Sequence, residues 1–511
     1  MKAWGHIKTL IIAVLAFAAL FVLIIYYTAA ASVRPRETVG FTSEEDFSGI
    51  FVPASENDGL YFDTQGFING SGVYIFLPSS ADLEHLVFYS EREDGKLLER
   101  FEHDFEQDPV EICGVSVFAM KSELPSINLS FADGYPSLED IESSEDHDLS
   151  SKGTMEMWDR DGFLVMDSMV IRGRGNTTWL DDKKPYQITL AKGESLLGMG
   201  KAKTWVLLAN AGDFSLLRNE VFLSLAKDLG IAYTPNIRQV DLFIDGEYHG
   251  AYSLCEKVEV GKNRVDIDKN DYLYCIGVDR NNYSFFLYDD AEKKGTEEYE
   301  PMYGELRDTR DRMKIERSIP YIQEVINEMY DPKSDLSDCD LDSFARYYWL
   351  QEFSKTTDPT LRSVYLYWKS DEAKMHMGPA WDYDRTAGII DMPFRKEDYI
   401  WPDGWTAREQ DYYRRMIKNP VFQDAVRDVY ENGGVREAFM RAADELPARI
   451  GNIRTSAEMN FIRWNVLFEE ENNKVSYAYG DNSYESQVSW LADWLRMRAD
   501  WIDIHYRDRI R

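Results

Sequence analysis

Asp382 and Asp384 stand one residue apart in GPAWDYDRTAG, between apolar residues and glycines. Carboxylates in such company are not a solvated face, because Asp and Glu are almost never fully buried unless paired. A pair at this spacing suits either a divalent metal or a salt bridge. The bare pattern means little, since Asp159/Asp161, Asp266/Asp268 and Asp338/Asp340 repeat it in a chain with 90 acidic residues. Upstream, Arg172 to Asn176 reads RGRGN. Its two glycines allow backbone to approach a phosphate and its arginines, Arg172 and Arg174, supply charge; the same residues also make an ordinary turn. Asn176-Thr177-Thr178 fits a glycosylation sequon as well. Lys183 and Lys184, where a strand is expected to start, either reach phosphates or lie on the solvated surface.

Asp358 follows a helix expected over Asp342 to Lys355 and precedes Pro359. An Asp there either takes a proton from a substrate hydroxyl or caps the turn. The spacing favours the chemical role, because Ser363 lies five residues on, as the metal-binding Asn does after the catalytic Asp in the protein-kinase loop H-R-D-x-x-x-x-N. Asp382 then follows on the next hairpin, as the metal-binding Asp of such enzymes does. A Gly-rich loop and a Lys over phosphates, then carboxylates for metal and nucleophile, are the parts of phosphoryl transfer.

Elements must position these groups. Phe51 to about Lys121 alternates in short runs such as VYIFL and HLVFY, which predicts a small β-sandwich serving as a spacer or binding module. SINLSF is expected to be a strand, followed by an acidic, Ser-rich connection at Leu138 to Ser151. Met155 to Trp158 and Phe163 to Met169 form a hairpin, and Lys183 to Leu190 and Trp205 to Asn210 are further strands. SLLRNEVFLSLAKDLG, from Ser215, places Leu217, Val221, Leu225 and Leu229 on one helical face and stops at Gly230. Asp245-Gly246 turns a hairpin. From Ile319 the pattern is mostly helical, interrupted by strands at Ser363 to Lys369 and Met375 to Met377.

The 511 residues carry a formal charge of −33. That excludes nucleic acid held by bulk charge and favours a basic protein partner at long range. Aromatic residues at 14% mark a folded protein. Thr9 to Ala31 is uncharged and long enough to cross a bilayer as a helix, with Lys2 and Lys8 before it. A retained anchor is the first expectation, giving a single-pass cell-membrane protein with its large domain outside; a cleaved signal peptide would release it instead. Cys113, Cys255, Cys275 and Cys339 have no metal-finger spacing; Cys255 and Cys275 are either a disulfide or free buried thiols.

RGRGNTTW, KKPYQITL, the stretch from Ser195 to Val221, that from Val240 to Ile267, MGPAWDYDRTAG and NFIRW together resemble the CotH (spore coat protein H) kinase-like family, from about Pro125 to the C-terminus. The resemblance implies an α+β, atypical protein-kinase-like fold of two lobes. The expected layout is a cytoplasmic stub and transmembrane helix over 1–34, a β-rich module over 35–121, a β-rich N-lobe over 122–257 and a helical C-lobe over 258–511. It implies an ATP- and Mg²⁺- or Mn²⁺-dependent transfer of phosphate to Ser or Thr of an exported, surface or spore-envelope protein. Carried over by position, Lys183 or Lys184 contacts ATP phosphates beneath RGRGN, and Glu256 and Lys257 lie near the interlobe connection. Asp358 is the base, Ser363 and Asp382 meet the metal, and Asp384 supports them. The family commonly has Asn-x-Asp before the catalytic position, whereas this chain has Lys355-Thr356-Thr357-Asp358. Glu220 sits where an acid partner for the Lys would be, but Arg218 and Asn219 are the family-like residues there. A surface adhesion or assembly protein on the same scaffold, and transfer of a nucleotidyl group, are the competing expectations.

Overall fold

The computed structural model describes residues 47–509 except 71, 93–94, 145–146, 176, 278–282, 289–300, 308, 357–362, 390–399, 410, 452 and 465–482. The expected membrane helix, Asn176 and Asp358 therefore lie outside the described residues. No described helix is long and apolar enough to cross a membrane.

The β-rich half is a mixed sheet in which seven strands close on themselves. Neighbours in order are Ala202–Leu208, Tyr186–Glu194, Gly162–Gly173, Ser150–Asp159, Ser126–Phe131, Ile237–Ile244 and Glu247–Glu256. The last pairs back to the first, with Trp205 opposite Glu256 and Leu208 opposite Ser253. Closure leaves no free edge in this part of the sheet. Period-two alternation fills the interior: Tyr186, Ile188 and Leu190 point in with Met155, Met157, Ile171, Leu242 and Leu254, and all are buried. Asp245 and Gly246, both at positive φ, turn the hairpin the sequence predicts.

Glu247–Glu256 also carries the N-terminal strands. Gln65 pairs with Glu247, extending the sheet through Gly49–Val52, Leu86–Glu91 and Leu97–His103. A second sheet of Phe67–Asn69, Gly72–Leu77, Val115–Lys121 and Val110–Ile112 covers these strands over a core that includes Val52, Val73, Ile75 and Phe88. The small module thus has two sheets, yet it is continuous with the larger one. Phe62, Phe67 and Phe76 pack with Trp158, Phe243, Tyr248 and Met459.

Helix Arg218–Asp228 drops from the barrel into the other half, burying Val221, Phe222 and Leu225, and Gly230 at φ +75° ends it. That half is less helical than its sequence suggests. Five strands, Phe285–Tyr288, Met302–Leu306, Tyr272–Gly277, Val364–Lys369 and Lys374–Met377, form a separate sheet. Helices Arg312–Tyr330, Leu341–Ser354, Pro420–Asn432, Val435–Ile450, Arg454–Trp464 and Tyr484–Arg509 accompany it. One large core joins them, with Trp349, Phe353, Tyr383 and Trp494 among its members.

Two local expectations are resolved by packing. The acidic connection after residue 137 is not uniformly loose: Ser137 and Asp140 form a reciprocal capping box on the short helix Leu138–Glu142, whose Ile141 is buried. Cys255 and Cys275 are both free thiols, one on the closing strand of the barrel and the other on the five-stranded sheet, so the disulfide alternative does not hold.

Candidate active site

A cleft of about 690 Å³ opens between the barrel and the second half of the molecule. On the barrel side it is walled by the end of strand Gly162–Gly173, the residues just after Ala202–Leu208 and the exit from Glu247–Glu256. The opposite wall comes from the five-stranded sheet and the loop at 381–385. Asp382, Asp384 and Ser363 all line it.

The carboxylates are presented by alternation. Asp382 is exposed to the cleft, Asp384 is half-buried, and Tyr383 between them turns into the core, where its ring stacks on Phe222 at 5.6 Å. Ser363 precedes strand Val364–Lys369, and its hydroxyl donates to Asp382 Oδ2 at 2.8 Å. Burial, then the charge of Asp382, pushes the Asp384 carboxyl up to about 7, with Arg385 opposing. No protein hydrogen bond reaches the Asp384 carboxylate among the described residues. A carboxylate held up in this way by burial and a neighbouring charge is relieved by a cation.

Helix Arg218–Asp228 fixes this loop from behind. Asn219 Oδ1 accepts the Tyr383 N–H at 2.8 Å, while Arg218 donates through Nε to the Thr386 carbonyl at 2.9 Å and through Nη2 to the Ala387 carbonyl at 3.1 Å. Arg218 is itself held by buried Asp213 at 2.5 Å.

Among the described residues, six cationic side chains line the cleft: Arg172, Arg174, Lys257, Arg307, Arg310 and Arg385. Four carboxylates, Glu259, Glu305, Asp382 and Asp384, face them. Among the described residues cations therefore outnumber acids here, although the whole chain has 57 Lys and Arg against 90 Asp and Glu. Arg174 lies over the Trp381 ring at 5.4 Å; burial lowers its pKa and nearby Asp382 raises it. Lys257 pairs with Glu259 at 3.5 Å, and its pKa is lowered by burial and, more weakly, by Arg307 and Arg172. Arg307 and Arg310 share Glu305, at 3.3 and 2.6 Å. Such a wall matches a ligand carrying several negative charges.

The other sequence-predicted residues are placed differently. Strand Tyr186–Glu194 starts later than KKPYQITL suggests, so both lysines precede it. Lys183 is buried, with its Nζ donating to the carbonyls of Ala209, at 2.8 Å, and Ala251, over the Tyr252 ring. Lys184 Nζ donates to the Trp179 and Asp181 carbonyls, each at 3.0 Å. Neither lines the cleft. Glu256 is buried off the cleft, bound to Arg264 at 2.7 Å and to the Asn236 N–H at 2.6 Å; its neighbour Lys257 does line it. Glu220 turns away and pairs with Arg449 at 2.8 Å. Arg307, Arg310 and Arg385 escaped the sequence reading. ELRDTR looks like a solvated run until Met302–Leu306 pairs with Tyr272–Gly277 and carries it to the cleft.

The donor chemistry fits Mg²⁺ or Mn²⁺. Among the described residues no group of three or more His, Cys, Asp or Glu could hold a metal unaided. Mg²⁺ is commonly held by one or two carboxylates together with substrate phosphates, and Asp382 and Asp384 beside an anion-attracting wall supply that arrangement.

No curated protein matches the sequence. A family model described as CotH kinase protein matches residues 171–502, a span that takes in the arginine loop, helix Arg218–Asp228 and the carboxylate loop. Since the match covers well over half of the chain, the protein belongs to the CotH kinase family.

Proposed function

We propose that the cleft transfers the γ-phosphoryl group of ATP to a Ser or Thr hydroxyl of an exported, surface or spore-envelope protein. The observation that carries this reading is the Asp382–Asp384 pair facing a cleft whose described lining has more cations than carboxylates, on a chain of charge −33. A bulk-acidic protein gathers cations at one concave place when that place receives an anion. Mg²⁺ or Mn²⁺ bound by the carboxylates would neutralise charge on the phosphates. Arg172, Arg174, Lys257 and Arg385 would orient phosphate oxygens, and Ser363 fixes Asp382. Asp358, five residues before Ser363, would accept the proton of the attacking hydroxyl.

The charge of the surface outside the cleft favours a basic acceptor protein, and the apolar segment at 9–31 would hold the domain outside a membrane. Lys183 has a structural part in this account. Its ammonium ties strand Glu247–Glu256 to the segment after Ala202–Leu208, beneath the cleft floor.

The test is transfer of label from γ- and α-labelled ATP by the full chain with Mg²⁺ or Mn²⁺, beside Asp382→Ala. Label from the γ position only, lost in the variant, supports the reading. Label from the α position means nucleotidyl transfer, and no label with no metal-dependent ATP binding means a scaffold or adhesion role.

A further inference from the structure

We infer that Asn219 and Arg218, on the first turn of helix Arg218–Asp228, are the positioning residues that hold Asp382 and Asp384 in place for the metal and nucleotide; this rests on the phosphotransferase reading of the same cleft. Kinase-type sites commonly rely on a helix acid paired with a strand lysine. Here the acid on that turn, Glu220, is committed to Arg449, and Lys183 is committed to backbone carbonyls. The link from helix to carboxylate loop runs through the main chain instead.

Each polar atom of the link has a partner. Asn219 accepts the amide of Tyr383, the residue between the two carboxylates, and donates Nδ2 to Asn210 Oδ1 at 3.2 Å. Asn210 donates in turn to Ser253 Oγ at 2.8 Å, which anchors the chain of contacts in the barrel wall. Arg218 spans the far end of the loop, reaching the carbonyls of Thr386 and Ala387. Arg218 and Asn219 are about 4% and 3% exposed, so water does not compete for these bonds. Arg218 does not line the cleft; Asn219 does, but its two amide groups are committed to Tyr383 and Asn210, so the effect of both side chains passes through the loop.

The backbone gives an independent sign. Asn210 and Leu216 before the helix have φ of 52° and 56°, and Asp382 and Ala387 in the loop have φ of 73° and 47°. Residues other than glycine are uncommon in this region, and they persist where their surroundings hold them there. The four positions bracket the Asn219 and Arg218 bonds along the chain. Left-handed φ at Asp382 aims its side chain toward the cleft, where it meets Ser363.

The test compares the full-length wild type with Asn219→Leu, Asn219→Asp and Glu220→Gln by two readouts. The first is amide hydrogen exchange over 382–388 in metal-free protein; the second is Mn²⁺ binding by electron paramagnetic resonance. Asn219→Leu removes the acceptor, so the Tyr383 amide exchanges faster and Mn²⁺ affinity falls by roughly 10- to 100-fold, as when a residue orienting a metal ligand is lost. Asn219→Asp keeps the acceptor for the Tyr383 amide but loses the donor to Asn210, so it protects Tyr383 better than Asn219→Leu and less well than the wild type. Glu220→Gln, on the same turn but facing away, changes neither. If Asn219→Leu does not fold, Asn219→Ser, too short to reach Tyr383, takes its place with the same expectation.

Unchanged exchange at Tyr383, or faster exchange with unchanged Mn²⁺ affinity, overturns the inference. A wild type that binds no Mn²⁺ with or without ATP overturns the phosphotransferase reading and the role with it. Loss confined to the variants separates the two cases.

Discussion

Ser363 and Asp382 are 19 residues apart in sequence and joined by a hydrogen bond of 2.8 Å, from the Ser363 hydroxyl to Asp382 Oδ2. The bond ties the start of strand Val364–Lys369 to the loop that follows its hairpin partner Lys374–Met377. Ser363 also has a left-handed backbone, at φ 65°. Two residues far apart in sequence become one constrained unit at the cleft.

Asp382→Asn keeps a side chain that tolerates left-handed φ and removes the charge. Phosphoryl transfer is expected to fall by at least about 100-fold, with the thermal midpoint little changed because the side chain is exposed. Ser363→Ala is expected to give a smaller loss. Steady-state rates and a thermal melt check both.

Arg498 and Glu352 form a pair with no exposed side-chain surface, 3.2 Å apart. Arg498 also donates to the carbonyls of Pro402 and Gly404, at 2.8 and 2.6 Å, while Glu352 accepts the amides of Thr406 and Arg408. Arg498→Met leaves a buried carboxylate without its cation and should cost about 3–5 kcal/mol in stability. Denaturant unfolding measures this, and a loss below about 1 kcal/mol would contradict the stated burial.

His249 is buried, and burial, reinforced by nearby Arg463 and Lys183, pushes its pKa down from 6.5 to about 3. A folded-state pKa below the unfolded one favours folding above pH 6.5, and that contribution is lost as pH falls from 6.5 toward about 3. Between pH 6.5 and about pH 5 this amounts to about 2 kcal/mol. His249→Gln should flatten the stability profile over that window by about this amount, measured as the variant minus the wild type. Parallel profiles would show that His249 takes up its proton in the folded state as readily as in the unfolded one.

Phe76 packs on Tyr248 with ring centroids 4.4 Å apart, linking the N-terminal module to the barrel. Phe76→Ala should cost about 3–5 kcal/mol. A fragment beginning at residue 122 exposes Phe243 and Tyr248 and is expected to aggregate, whereas the chain from residue 47 stays monomeric. Size-exclusion chromatography distinguishes the two.

Much of the local structure was legible because short-range periodicity carries it. The helix expected after Ser215, the Asp245-Gly246 turn and the strands beside Asp382 all lie within a few residues of where they form. Long-range pairing was not legible. Gln65 meeting Glu247 makes the N-terminal module continuous with the barrel, and no local signal predicts that single bridge. The same limit explains the site. Asp382 and Asp384 stood out by their apolar company, while Arg307 and Arg310 look like surface charges until the strand Met302–Leu306 is placed. Lys183 shows the reverse case: its type suggested a phosphate contact, and its neighbours Ala209 and Ala251 use the amine inside the barrel wall.

Calorimetric titration of the metal-free protein with a non-hydrolysable ATP analogue, with and without Mg²⁺, tests the central claim most directly. The account predicts binding that strengthens with Mg²⁺ in the wild type and loses that dependence in Asp382→Asn, with Glu220→Gln behaving as wild type. Absence of binding, or binding indifferent to Mg²⁺ and to Asp382, would contradict it.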